Sequence, residues 1–128
     1  IADQFIEYYR DTFDLVVAEL IVSNGKIAGQ ADNLSKRKES DIYNLSLLDW
    51  KTDREIKFDN PYDNLTEPYS NMPDTNYSKY QLQLNTYKKL FENKYQDHKI
   101  NEMFINWIYE ENDEFKLIEI PEIEIKHL

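Results

Sequence analysis

Three carboxylates interrupt segments that are otherwise apolar, and a lysine follows two residues after the last of them: Glu19, Asp32, Asp49 and Lys51. In a β-strand, residues i and i+2 share a face, so Asp49 and Lys51 should point the same way and Trp50 the opposite way. An acid and a base at the end of a buried strand need either a partner or a task. The pair is therefore either a salt bridge at the rim of a sheet or part of a reactive site.

The three acids predict a site for a divalent cation if neighbouring strands bring them to one end of a sheet. Converging carboxylates repel one another unless a cation lies among them. Because these ligands are oxygens and the chain has no Cys, the cation should be hard, Mg²⁺ or Mn²⁺. Such an ion makes a bound water nucleophilic and stabilises charge on a phosphoryl oxygen. Lys51 would then orient the attacking water or neutralise the developing negative charge.

Each acid also has a structural interpretation, which the residues alone leave open. Glu19 could pair with a lysine across the sheet, and Asp32 with Asn33 could begin a turn. The two histidines, His98 and His127, lie in a predicted loop and in the tail, and they lack the clustered spacing of a metal site. The catalytic interpretation therefore depends on the acids acting together.

Hydrophobic periodicity and turn signals indicate the elements that would position these residues. We predict, in order, a helix over 2–12, strands over 13–22, 26–35 and 42–52, a polar loop over 53–75, a helix over 76–95, a strand over 100–110, a turn at 111–114 and a strand over 115–120. Asn24-Gly25 favours a hairpin, so the first three strands form an antiparallel meander over 13–52. The second helix is a crossover long enough to set the fourth strand parallel to the third. The predicted fold is therefore α/β, a mixed central sheet flanked by helices.

One face of the second predicted helix carries large side chains, whereas the second predicted strand carries small ones. The helix carries a stripe of large residues at spacings of three and four, namely Tyr80, Leu84, Tyr87, Phe91 and Tyr95. Its predicted N-cap is Asn76 or Ser78. The strand instead contains Ala28, Gly29 and Ala31, which let another group approach its backbone closely.

Length and composition limit the classes of protein that the chain can represent. A chain of 128 residues is long enough for one domain, here 1–128, and too short for two. The absence of Cys excludes disulfides, thiolate catalysis and an iron–sulfur cluster, and it favours an intracellular, cytoplasmic location. No apolar run approaches the ~20 residues of a membrane span, so we expect no membrane partner. Because the sequence starts at Ile1 and stops abruptly at Leu128, we expect it to be an excerpt of a longer chain.

A net charge of −10 is the observation that most opposes a nucleic-acid partner. Affinity for phosphates requires Lys and Arg, and acidic residues outnumber basic ones by 25 to 15. Acids that bind metal, or basic surface in flanking segments, would offset this charge.

The motifs taken together are much more specific than any one of them. Gly29-Gln30-Ala31-Asp32, Asp49-Trp50-Lys51 and Gln83-Leu84-Asn85-Thr86-Tyr87 resemble the PD-(D/E)XK nuclease superfamily, in particular its RecB-like exonuclease branch. That branch has a Glu on the first strand, Gly-x-x-Asp on the second, Asp/Glu-x-Lys on the third and Gln-x-x-x-Tyr on the following helix. The resemblance covers about residues 13–110 of this chain.

The resemblance implies a restriction-endonuclease-like fold and a metal-dependent DNA nuclease. The first expectation is an exonuclease that acts in recombination, repair or phage replication, with DNA as its partner and a recombinase, helicase or other subunit beside it. The alternatives are a catalytically weak nuclease-fold interaction module within a larger assembly, and a structural domain whose acids are ion pairs at the sheet rim. The fold alone does not determine the substrate.

The resemblance also assigns roles to individual residues. Asp32 and Asp49 would bind Mg²⁺ or Mn²⁺, the backbone carbonyl of Trp50 would be a further ligand, and Glu19 would complete the acidic cluster directly or through water. On the same basis, Lys51 would be the catalytic lysine. Gln83 would reach from the helix toward the active site, and Tyr87 would support it or contact DNA. For Tyr87, plain core packing is an equally open interpretation.

Overall fold

A computed structural model of the chain describes residues 2–109 and 115–128. The described elements are, in order, α1 (Ala2–Thr12), β1 (Phe13–Ser23), β2 (Ala28–Arg37), β3 (Asn44–Lys51), α2 (Asn76–Lys94), β4 (Lys99–Trp107) and β5 (Lys116–Glu119). Each predicted helix and strand is present, and no boundary differs from the prediction by more than 3 residues. The predicted turn at 111–114 lies outside the described residues.

The strands form one five-stranded sheet in the order β1-β2-β3-β4-β5. The first three strands pair antiparallel, β4 pairs parallel with β3, and β5 pairs antiparallel with β4. The parallel pair follows from α2, because the chain must cross the sheet through a helix before it can run again in the direction of β3. The predicted α/β fold with a mixed sheet, a meander and a crossover helix is therefore confirmed.

The turn between β1 and β2 forms where Asn24-Gly25 predicts it. The Asn24 side-chain oxygen accepts hydrogen bonds from the amides of Lys26 and Ile27, at 2.9 and 2.8 Å. Gly25 has a φ of 88°, in the region that favours glycine. These local bonds explain why two apolar strands reverse direction within a few residues.

The sheet separates two hydrophobic clusters, because successive side chains of a strand point to opposite faces. On β3, Leu45 and Leu47 contribute to the larger cluster, which includes the buried face of α2. Leu48 and Trp50 contribute to a smaller cluster with Phe5 of α1. The two helices therefore cover opposite faces, and fully burying each leucine stabilises the fold by about 1.5–3 kcal/mol.

Helix α2 begins at Asn76 as predicted, but its N-cap is a different residue. The N-cap is Thr75, whose hydroxyl accepts a hydrogen bond from the Ser78 amide at 3.0 Å. The prediction of Asn76 or Ser78 as N-cap is therefore wrong. Asn76 instead orders the loop before the helix, since its side-chain amide donates to Asp53 Oδ2 at 2.8 Å. In the described part of the chain, neither helix is long and apolar enough to cross a membrane.

Asn106 on β4 is a polar side chain buried in the core of the described residues. It is fully buried, and within the described residues neither its amide nitrogen nor its oxygen has a hydrogen-bond partner. Burying such a group costs about 1–3 kcal/mol. We expect Asn106→Leu to raise the melting temperature, because leucine of similar volume needs no partner.

Asn85 provides the matched control for this substitution. It is equally buried, but it donates to the carbonyls of Gln81 and Pro121 and accepts from the Ile123 amide. Asn85→Leu should therefore lower the melting temperature measured under the same conditions. A decrease for both variants would contradict the interpretation of Asn106.

Candidate active site

Strands β2 and β3 stop pairing backbone to backbone at the row that contains Asp32 and Asp49. Their regular register ends at the pair Asn33–Leu48. Beyond it, the Asp32 amide donates to Asp49 Oδ1 at 3.1 Å, and the Trp50 amide donates to Asp32 Oδ2 at 2.6 Å. The two carboxylates thus take the place of backbone carbonyls as acceptors, and they hold the ends of the two strands together.

Lys51 is held tightly beside this pair of acids. Its Nζ lies 2.8 Å from Asp49 Oδ2 and donates to Gln83 Oε1 at 3.0 Å. The side chains of Asp49 and Lys51 are only 7% and 15% exposed, so the ion pair is largely shielded from solvent. Because Asp49 and Lys51 share one strand face, the ammonium group is directed toward α2, where Gln83 lies.

Gln83 and Tyr87 continue the hydrogen-bonded chain along α2. The Gln83 amide donates to the Tyr87 hydroxyl at 3.0 Å, as expected for residues one turn apart. Tyr87 packs on β2 at Gly29, where a Cβ atom would lie 2.1 Å from the ring carbon Cε1. The small residues of β2 therefore allow a helix side chain to approach the strand backbone.

Glu19 is aligned with the two aspartates along the sheet but lies outside their cluster. The pairs Ala18–Asn33 and Leu20–Ala31 place Glu19 opposite Asp32 in the register. Glu19 is nevertheless exposed, and within residues 2–109 and 115–128 no group of three or more His, Cys, Asp or Glu side chains could hold a metal ion. The structure thus brings together Asp32 and Asp49 but does not gather the predicted three carboxylates.

The backbone is strained at Glu19. Its φ of 57° lies in the left-handed region, which costs a residue with a Cβ atom about 1–2 kcal/mol. On the partner strand, Ala31 and Leu34 belong to the same cluster, although an odd spacing would place them on opposite faces of a regular strand. The regular alternation is therefore interrupted at this row, and strain of this kind is concentrated at functional sites.

The pKa of Asp32 reflects its partial burial first and its proximity to a second acid after that. Partial burial, together with the hydrogen-bonded Asp49 carboxylate, raises the pKa of Asp32, while the Trp50 amide and the Lys51 charge act in the opposite direction. A cation between the carboxylates would relieve the repulsion. Mg²⁺ is commonly held by one or two carboxylates plus waters and substrate phosphates, so Asp32 and Asp49 are the residues of this site that could hold such an ion.

Asp32→Asn is expected to raise the melting temperature at pH 7. Because the folded-state pKa is raised above the ordinary value of 3.8, the folded state is the better proton acceptor. Protonated Asp32 therefore stabilises the fold at acidic pH, and this stabilisation is lost as the pH rises through the folded-state pKa of Asp32. The advantage of the variant should disappear below about pH 3.8, where both side chains are neutral.

Asp14 is the control of opposite sign. Hydrogen bonds and charge from Lys38 and Lys36 lower the pKa of Asp14. Asp14→Asn should therefore decrease the melting temperature at pH 7. If Asp32→Asn also decreased the melting temperature at that pH, the charge on Asp32 would not be unfavourable in the fold.

The sequence analysis did not assign Tyr80 and Asp53 to the site, but both lie beside Lys51 or its partners. The Lys51 Nζ lies 4.2 Å from the centre of the Tyr80 ring, and the Tyr80 hydroxyl donates to Asp53 Oδ2 at 2.6 Å. Burial, with a smaller effect of the Asp53 carboxylate, raises the pKa of Tyr80. Tyr80 lies three residues before Gln83, so the two share one helix face. This spacing was the only signal in the sequence that could have placed Tyr80 in the site.

Comparisons of the chain with protein-family models, with curated proteins and with solved structures found no match.

Proposed function

We propose that this chain is a metal-dependent nuclease domain that hydrolyses DNA phosphodiester bonds, acting as an exonuclease in recombination, repair or phage replication. The observation that carries the proposal is the joining of two motifs that are distant in sequence. Lys51 contacts Asp49 on its own strand and Gln83 on α2, and Asp49 is bonded to the backbone of Asp32. A salt bridge at the rim of a sheet would not require the glutamine.

The order of the elements supports assignment to the PD-(D/E)XK superfamily and its restriction-endonuclease-like fold. A helix, an antiparallel meander, a crossover helix and a parallel fourth strand follow one another along the chain. The acids lie on successive strands, and the Gln-x-x-x-Tyr residues lie on the face of α2 that meets the sheet. The family assignment thus agrees with both the motifs and the topology.

The roles proposed for the side chains follow from their contacts. Asp32, Asp49 and the Trp50 carbonyl would hold Mg²⁺ or Mn²⁺, which when bound supplies an activated water and stabilises charge on the phosphoryl group. Hydrolysis forms a bond from a water oxygen to phosphorus and breaks the bond to the leaving sugar oxygen, which gains a proton. The Lys51 ammonium neutralises the negative charge that develops during this exchange. Gln83 fixes the direction of the ammonium.

The net charge of −10 makes the proposed activity dependent on the cation for a second reason. Phosphates are repelled by the two neighbouring carboxylates, which Lys51 neutralises only in part. A bound divalent ion would reverse the sign of the local charge. DNA binding at this site should therefore require the metal and weaken strongly as salt is added.

The second candidate function is a catalytically weak nuclease-fold module that binds another subunit of a larger assembly. It is favoured by the net charge of −10 and by large apolar side chains exposed on β1, where Leu15 and Ile21 are 55% and 73% exposed. β1 is an edge strand of the sheet, and an edge strand with exposed apolar side chains is a surface on which another chain can pair. Binding of this kind would not involve Asp49 or Lys51.

Calorimetric titration with Mn²⁺ and a cleavage assay with end-labelled DNA test the proposal together. Titration of the nuclease with Mn²⁺ should give a saturable heat of binding, and labelled DNA should be lost only when Mg²⁺ or Mn²⁺ is present. Asp49→Asn should abolish both results in a folded protein. Metal binding without DNA loss would favour the module, and the absence of both would leave the acids as structural ion pairs.

A further inference from the structure

The Lys51 ammonium group has three N–H donors, and three groups surround it. Asp49 Oδ2 lies at 2.8 Å and Gln83 Oε1 at 3.0 Å, and the face of the Tyr80 ring lies 4.2 Å away. The first two belong to the proposed catalytic motifs. Tyr80 does not, yet its ring face attracts the same cation through the negative charge density of the π system.

Tyr80 is itself held at both ends. Its backbone belongs to α2, and its hydroxyl donates to Asp53 Oδ2 at 2.6 Å. Asp53 also accepts from the side chain of Asn76, and its backbone carbonyl accepts from the Trp107 indole at 2.6 Å. The ring beside Lys51 therefore cannot turn away without breaking its hydrogen bond to Asp53, a residue that two further hydrogen bonds hold in place.

We propose that Tyr80 is a positioning residue for the reaction, whose ring face holds the Lys51 ammonium beside Asp49 and Gln83. The proposal rests on the nuclease function for its catalytic consequence. Lysine has a long flexible stem, and its strongest partner here is the Asp49 carboxylate. Without the ring, Asp49 and Gln83 would still hold the ammonium, but the third side of the group would be open, and it would spend less time where a phosphoryl oxygen would be.

Nuclear magnetic resonance of the folded protein tests the contact directly. The Cε of Lys51 is attached to the nitrogen that lies above the Tyr80 ring. Its protons should therefore resonate upfield of the Cε protons of the other lysines, because of the ring current. Tyr80→Phe keeps the ring and should retain the upfield position, whereas Tyr80→Leu should lose it. Tyr77→Leu is the matched control, because Tyr77 is a half-buried tyrosine of α2 that packs on Phe58 instead. The Lys51 resonances of the Tyr77→Leu variant should be the same as in wild type.

Kinetics of DNA cleavage then separate positioning from a structural role. Tyr80→Leu should lower kcat on the order of tenfold with little change in KM, and Tyr80→Phe should recover most of that loss. Tyr77→Leu should leave kcat unchanged even where its melting temperature falls as far. Unshifted Lys51 resonances in wild type, or an unchanged kcat in Tyr80→Leu, would overturn the proposal.

Failure of the nuclease function gives a different result. Wild type would then not cleave DNA in the presence of Mg²⁺ or Mn²⁺, while the ring-current shift would still depend on Tyr80. That outcome would overturn the catalytic part of the proposal together with the proposed function. A shift that is present with active wild type, lost in Tyr80→Leu and accompanied by the fall in kcat supports both.

Discussion

Lys51→Met is expected to reduce Mg²⁺-dependent DNA cleavage by roughly 10²- to 10³-fold, as does the loss of other groups that stabilise transition-state charge. Methionine retains most of the volume of the stem but removes the ammonium between Asp49 and Gln83. In the same variant, Mn²⁺ should bind at least as tightly as in wild type, because Lys51 competes with the metal for Asp49. Activity and metal affinity should therefore change in different directions.

Lys88→Met is the control for this prediction. Lys88 lies on the same helix-covered side of the sheet, its side chain is 12% exposed against 15% for Lys51, and it also forms an ion pair, with Glu92. Both variants should lose stability without metal, since each leaves a shielded carboxylate unpaired. Only Lys51→Met should regain melting temperature on addition of Mn²⁺. Equal cleavage by the two variants would remove Lys51 from the reaction.

Gly29→Ala is expected to destabilise the fold by about 1–3 kcal/mol, the usual cost of forcing additional atoms into a packed site. The new Cβ would lie 2.1 Å from Tyr87 Cε1 and 2.8 Å from Cζ, so the ring itself must move. Displacement of Tyr87 also removes the hydroxyl that accepts from Gln83. The variant should therefore lose cleavage activity as well as stability in urea unfolding.

The double variant Gly29→Ala with Tyr87→Leu tests the physical cause. The smaller side chain should remove the steric conflict, so the double variant should be more stable than the sum of the two single effects predicts. Gly25→Asn is the control without a steric conflict, because no atom lies within 4 Å of the added Cβ; its loss of stability should reflect only the backbone strain of a side chain at a φ of +88°. Additive losses in the double variant would show that Tyr87 is not the obstacle.

The sequence by itself determined the helices and strands and the strand face that Asp49 and Lys51 share. Alternation of apolar residues and the Asn24-Gly25 turn are local signals, and they specified β1, β2 and the hairpin between them to within a few residues. The strand period also determined that Asp49 and Lys51 share a face. That Glu19, Asp32 and Asp49 lie near one row of the sheet was only a prediction, and the registers of β1 with β2 and of β2 with β3 decided it.

Only the tertiary structure decided which of these groups touch. The periodicity of a sequence specifies which face of an element a side chain lies on. It does not specify the distance between side chains of two elements, because that distance depends on how the helix packs on the sheet. The contacts of Lys51 with Gln83 and Tyr80 follow from the depth at which Tyr87 packs on Gly29. The left-handed φ of Glu19 coincides with the interrupted alternation of β2 at the same row, and no property of the residue Glu19 indicates it.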